Sequence, residues 1–501
     1  MALTIVVEAE LSAGVWTAIT SDTLGASGLT FDWGMDGGRP DDNCARPGTF
    51  TLTLDNAAKS GALVGRYSPG HTNALSGWNL NTALRVTLSN GPTSRVMGPY
   101  RVVSITPEPN EYGDKTVSVT AADWLEDAAQ APVASEGLSD VWPGVLVASL
   151  VSGMATAPAS TSLDAGAAPF VYPLTDASSR RDRVLAAFKS VAQSDGGHLY
   201  LTSAGVLTYR AAAARAASTT ADFSFLSGMH GLSASRNRDG LVNSMRLTVH
   251  PPIVSATLVV VASVAAPFLV PAGGAVSLVL SYRDPDTGNA CGILSIPHTP
   301  EEVTDWLANS REDGLGTDLG SNFVVEHDNY TNASVTVLVS NLGAEDGYIT
   351  FLQVRAVSVV DQDPITVQAV NSASVTAYGE RILDVDLPYQ HDPNIAQALA
   401  DYWSALYSDA AMRADALSVL GTSAWEALVL GVDVGSRLVI TEAMTGLAAQ
   451  SYWVQGVTMT VTEGPVFTVD LRLAPASDTL YWLLGTAGRS ELDSTTVLGY
   501  L

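Results

Sequence analysis

Positive charge is scarce in this chain. Twenty-five basic residues face fifty-one acidic ones, which leaves a formal charge of -26 and argues against a protein that wraps nucleic acid by neutralising phosphates. Lysine is nearly missing. Lys59, Lys115 and Lys189 are the only three, and the other basic residues are arginines, the side chain suited to planar, bidentate, partly buried pairs. That bias fits interfaces, although a codon bias would also produce it. Cysteine is almost absent: Cys44 and Cys291 have no Cys or His neighbours of the kind that zinc sites and redox motifs require, so two unpaired thiols are expected. The start, Met1 to Glu10, has no positive region before its apolar stretch and does not read as a signal peptide. No His-Glu-x-x-His, no Walker phosphate loop and no Gly-x-Ser-x-Gly elbow occurs in the sequence, which removes the enzyme classes that depend on them.

With 47% hydrophobic and only 15% charged residues, the chain is expected to fold rather than stay disordered. Its 501 residues call for roughly three or four domains. Period-two alternation at Thr49–Leu54, Leu84–Leu88, Tyr100–Ile105 and Thr116–Thr120, with turn residues between, predicts an antiparallel barrel or sandwich over 1–122. Composition then shifts toward Ala. A helix starting at Asp176 or Ser178, with Val184, Leu185, Phe188 and Val191 on one face, is stopped by Gly196-Gly197 and followed by a hairpin, so 123–248 reads as an α+β unit.

Residues 251–282 carry no charge, and their length invites a membrane test. Four prolines, β-branched content and the lack of flanking Lys or Arg favour two buried strands joined by Pro271–Gly274 instead. They open a β-rich unit, 249–380. Asp392-Pro393 starts a helix expected to run to about Ala414. The strands that follow complete a unit over 381–478, and 479–501 is left as a docking tail. The expected fold class is mainly β with α+β elements, in several domains.

Candidate chemistry is thin. Asp284–Asn289 superficially resembles a calcium loop, but Ser295 stands where an EF-hand needs its bidentate Glu, and a polar turn is favoured. Glu108, Glu111 and Asp114 crowd one turn, where acids are ordinarily just solvated. The seven histidines are scattered, and His327-Asp328 is at most half of a triad. No catalytic residue, cofactor or metal is expected. Most tryptophans are expected in cores; Trp33, in the Gly- and Asp-rich stretch Asp32–Asp41, is instead the leading contact candidate, together with Arg39 and Asp41. Trp482, Leu483 and Tyr500 near the end are candidate docking residues.

The order of several segments resembles the tail hub, or tail-tip, proteins of long-tailed bacteriophages. Gly37–Asp41 followed by Pro47–Asn56 is similar to the family's first barrel, and Val117–Leu125 to its strand entering a helix. Asp195–Tyr200 with Gly205–Tyr209 is similar to its middle hairpin. Tyr378–Arg381, the Asp392-Pro393 helix, Leu430–Val439 and Leu471–Pro475 are similar to its last domain. The resemblance spans about 30 to 500 and is weakest over 250–375. It implies a homotrimeric ring, at the tail tip of a virion, whose first and last domains are tube-like barrels that mimic a sixfold tube, without catalysis. Implied partners are the distal tail protein, tail tube, tape measure and tip or fibre proteins, with the host surface reached through them. DNA would pass without specific binding; the acidity suits such a path, though net charge alone does not place the acids there. An adhesin holding a surface glycan and a cell-wall hydrolase are the alternatives.

Overall fold

The computed structural model describes residues 4–501 apart from 25–27, 58–63, 91–92, 110–114, 135–138, 174–181, 239, 295–296, 332, 423–424, 463–465, 478–479, 482–495 and 498–501. Alternating side chains make the strands. Along Ser334–Asn341, Val335, Val337 and Val339 are buried while the residues between them are half-buried, the pattern of a strand with one face on a core. The same alternation buries Phe50, Leu52 and Leu54 along Arg46–Asp55.

Seven strands open the chain: β1 (Thr4–Ser12), β2 (Val15–Ala18), β3 (Leu29–Gly34), β4 (Arg46–Asp55), β5 (Ala83–Ser89), β6 (Ser94–Glu108) and β7 (Thr116–Ala122). They pair in the order β3-β4-β7-β6-β5-β1-β2. The segment after β2 closes the curve, since Ile19 N–H donates to Val7 of β1 (2.8 Å) and Leu24 N–H to Thr53 of β4 (2.9 Å). Phe31 and Phe50 stack inside, with ring centres 4.4 Å apart.

The other edge of β3 pairs antiparallel with Leu447–Thr462, in the register Asp32↔Thr458 and Leu29↔Val461. Through it the sheet continues into Val466–Pro475, Arg413–Leu420 and Gly231–Ser235, so strands from both ends of the chain form one 13-stranded sheet. Its core also takes in the helices Trp124–Gln130 and Val184–Asp195. Asp123 caps the first of these, accepting from Leu125 N–H at 3.0 Å, and Gly196 in the left-handed region (φ 67°) ends the second. The expected starts at Asp176 or Ser178 lie outside the described residues. The hairpin His198–Leu201 and Val206–Arg210 forms, with Ser160–Leu163 added parallel to it.

Residues 259–356 build a separate core around Val261, Tyr282, Trp306, Phe323, Val337 and Leu352. The charge-free stretch holds four short strands, Pro252–Val254, Val259–Ser263, Phe268–Val270 and Ala275–Ser281. The last two flank the expected turn (Gly274 N–H to Pro271, 2.9 Å) but pair with different partners rather than with each other. No helix among the described residues is long and apolar enough to cross a membrane. A third core lies between the sheet of Ser244–Val249, Ile365–Val370 and Ile382–Leu387 and the helix Pro393–Tyr407. Asp392 caps that helix, accepting from Asn394 N–H at 2.8 Å. It stops at Tyr407, short of Ala414, and a new strand begins at Arg413.

Candidate functional site

Parts of the chain distant in sequence converge on the carboxylate of Asp433, in the turn between the helix Glu426–Gly431 and the strand Arg437–Glu442. Its Oδ1 accepts the Trp33 indole N–H of β3 (2.7 Å) and the Val434 N–H (2.9 Å). Its Oδ2 accepts the backbone N–H (3.0 Å) and the hydroxyl (2.8 Å) of Ser203, in the turn of the middle hairpin. Arg95 of β6 completes the set, with Nη2 3.2 Å from Oδ2. Arg95 is buried, only 8% exposed. It also donates through Nη1 to the Val429 carbonyl (3.0 Å) and through Nε and Nη2 to Ser203 Oγ (3.1 and 2.7 Å), and it lies 5.5 Å from the centre of the Trp33 ring. A buried charge persists only when paired and hydrogen-bonded, and this one is supplied by the first, middle and last parts of the chain together.

A second network reinforces the seam. Arg472 donates to the backbone carbonyls of Met35 and Trp33 (2.9 Å each) and to Thr458 Oγ1 (3.0 Å), and pairs with Asp32 at 2.9 Å. Arg46 holds the same Asp32 at 2.6 Å and Asp36 at 2.5 Å. Burial pushes the Asp32 carboxyl up, but the hydrogen bonds and charges of Arg46 and Arg472 outweigh it, and the pKa falls below the ordinary carboxylate value. Glycine admits this closeness. A Cβ at Gly34 (φ 98°) would fall 2.4 Å from the Gln455 carbonyl oxygen, and one at Gly456 2.2 Å from Arg472 Nη2. The arrangement ties strands from both ends of the chain into one joint, its carboxylates engaged by donors.

No family model matches the sequence, and no curated protein matches it. The structure is similar to the crystal structure of the 43 kDa tail protein of prophage MuSo2 from Shewanella oneidensis, with a TM-score of 0.51 and 11% identity, covering 95% of this chain and 99% of that one. The fold is that of a prophage tail protein. A tail protein from Neisseria meningitidis MC58 aligns with a TM-score of 0.47 and 9% identity over 94% of this chain and 96% of that one.

In this tail-protein fold, the contact expected of Trp33 is overturned. Trp33 is 2% exposed, because β3 is paired on both edges and the indole N–H is spent on Asp433, so the loop begins only after it. Arg39 and Asp41 do reach the surface, paired to each other at 3.0 Å with side chains 61% and 35% exposed. Even here the loop is anchored, with Tyr407 Oη donating to the Gly38 carbonyl at 2.8 Å. Trp482, Leu483 and Tyr500 lie outside the described residues, as do Glu111 and Asp114. Glu108 accepts from the hydroxyls of Thr116 and Ser118 (3.2 Å each). Asp284 is the expected polar turn, accepting from Thr287 N–H and Oγ1 (3.0 and 2.6 Å).

Sequence spacing did not reveal that His298, Glu301 and Asp305 converge as a metal-like group. Their cation is already present: Arg355 reaches Asp305 Oδ1 (2.6 Å) and Oδ2 (2.9 Å) and Glu301 Oε2 (3.1 Å), so the cluster fits an ion-pair knot better than a metal. Both cysteines are free thiols, and burial raises Cys44 to about 12 and Cys291 to about 11, the behaviour of inert rather than reactive sulfur.

Proposed function

We propose that the chain is a structural component of a phage-type tail tip, a hub ring that joins the tail tube to tip or fibre proteins around a DNA exit path, without catalysis of its own. The observation that carries this reading is the joint. Each subunit of a tail ring must hold its own two barrels in a fixed relation, and here first-barrel and last-barrel strands of one chain share one sheet, pinned where Asp433 gathers Trp33, Arg95 and Ser203. Similarity of fold to a prophage tail protein over nearly the whole chain supports it. The excess of acid agrees with a wall past which DNA slides.

Two measurements test the reading. Light scattering of the purified chain is expected to give about three times its 52.2 kDa mass, with ring-shaped class averages in electron microscopy. Gold-tagged antibody against the chain is expected at the tail tips of particles from the source culture. A monomer at all concentrations, with gold on cell surfaces and none on particles, would overturn the hub and favour the adhesin.

A further inference from the structure

The last strand of the charge-free stretch, Ala275–Ser281, is the edge of a three-stranded sheet. It pairs on one side only, with Ser334–Asn341, in an unbroken register from Ala275↔Ser340 to Ser281↔Ser334. On its other side, its backbone N–H and carbonyl groups meet no backbone partner among the described residues. Sheet edges are ordinarily defended against stray pairing by charge, proline or a bulge. The opposite edge of this same sheet, Phe323–Tyr330, has two of these defences: it carries Glu326, His327 and Asp328, and its register shifts between His327 and Asn329. Ala275–Ser281 has none. Its Val276, Leu278 and Leu280 are half-buried against the core of residues 259–356, whereas Ala275, Ser277, Val279 and Ser281 face solvent, Val279 with 72% of its surface exposed. Beside residues 279–281 a groove of about 450 Å³ separates this strand from residues 260–263, so the open edge has space next to it.

We propose that this edge is a self-association surface, on which Ala275–Ser281 of a second copy of this chain pairs antiparallel about a twofold axis at Leu278. The strand's own pattern selects that occupant. Reversed about Leu278, it sets Leu278 against Leu278, Val276 against Leu280, Ser277 against Val279 and Ala275 against Ser281. Large apolar side chains therefore meet on the core side, and smaller ones meet on the solvent side. The lack of charge also matters in a chain of formal charge -26, because like charges directly opposite each other would hold two copies apart. The paired strands satisfy each other's open N–H and carbonyl groups with about six to eight hydrogen bonds. A twofold contact uses the same patch on both copies and cannot close a threefold ring. It joins two rings or two free chains, and it stands whether or not the chain is a tail hub.

The test is sedimentation velocity of the full chain over a concentration series reaching roughly 100 µM, since one strand pair is a small interface of the weak class. The wild type is expected to double its low-concentration mass, whether that starting mass is one chain or a ring. Ser277→Lys combined with Val279→Lys sets lysine against lysine across the twofold axis and is expected to abolish the doubling, as is Ser277→Glu combined with Val279→Glu. Mixing these two variants in equal amounts is expected to restore it, because each lysine then faces a glutamate. Both positions are exposed, and circular dichroism checks that the variants keep the fold. A second measurement does not depend on charge. Chains carrying Ser277→Cys and chains carrying Val279→Cys, mixed and oxidised with copper phenanthroline, are expected to form a mixed disulfide, since directly opposite Cβ atoms lie about 4.5–5.5 Å apart. Either variant alone holds its cysteines on the diagonal and is expected to cross-link far less. A mass that stays constant across the series overturns the second copy and leaves the edge to a strand of another protein. Doubling that survives the lysine pair overturns the edge as the surface.

Discussion

Replacing Asp433 with alanine removes the acceptor that Arg95, Trp33 and Ser203 share. Deleting one partner of a buried ion pair costs about 3–5 kcal/mol, because the other charge stays buried without it. Arg95 would keep its bonds to Val429 and Ser203, and Asp433 is itself 21% exposed, so the expected loss for Asp433→Ala is at the lower end, about 3 kcal/mol. Asp433→Asn keeps an acceptor for the indole but loses the charge, with an expected cost of about 1.5 kcal/mol. Arg95→Met combined with Asp433→Ala should cost less than the sum of the single changes, by about 1–3 kcal/mol, since the two groups meet directly. The assay is urea unfolding followed by both far-ultraviolet circular dichroism and tryptophan fluorescence, compared at a common slope. Agreement of the two probes checks that a single transition is being measured in a chain with several cores. A midpoint for Asp433→Ala within about 0.5 kcal/mol of wild type, the range of an ordinary surface change, would refute the idea that this carboxylate holds the barrels together.

Gly456→Ala is expected to destabilise by about 1–3 kcal/mol, because the new methyl group would meet a guanidinium already fixed by Met35, Trp33, Thr458 and Asp32; a denaturation midpoint equal to wild type would show that Arg472 yields freely. Stability should also fall as pH rises from 5 to 8. Burial raises Asp123 from 3.8 to about 7 and Asp195 from 3.8 to about 6, so the stability tied to their protonated forms is complete below the unfolded value and lost as pH climbs through the folded one. Asp123→Asn, which keeps a capping oxygen, should flatten that slope in a Tm series across these pH values, and parallel curves for the two proteins would refute the assignment.

The sequence told which stretches are strands far better than which strands meet. Period two along Ser334–Asn341 or Arg46–Asp55 names the buried face of each strand but carries no information about its partner, so the pairing of β3 with Leu447–Thr462 was invisible. Local stop and start chemistry was legible where it is local: Gly196 ends one helix and Asp392-Pro393 opens another. Trp33 misled because its downstream neighbours, Gly34 to Asp41, have loop composition, while its own position is decided by strands on both sides. The joint was half visible. Arginine in place of lysine pointed to planar pairs, and Arg46, Arg95, Arg355 and Arg472 make them, but the carboxylates they choose lie anywhere from 10 to 440 positions away, the span from Arg46–Asp36 to Arg472–Asp32, and only the fold brings the distant ones near.

The pairing of β3 with Leu447–Thr462 also orders events during synthesis. Asp32 and Thr458 stand 426 positions apart, so at roughly 5–20 residues per second the ribosome needs about 20–90 s to deliver the second strand after the first. Through that interval β3, with β4 already available on one side, presents an open hydrogen-bonding edge to whatever strand arrives. On a polysome the earliest candidates include the late strands of chains initiated ahead of it, which are identical in sequence to the proper partner. The separation of the two strands along the chain therefore leaves the central seam as the pairing that synthesis completes late, and a late strand from a sibling chain would fit the same open edge.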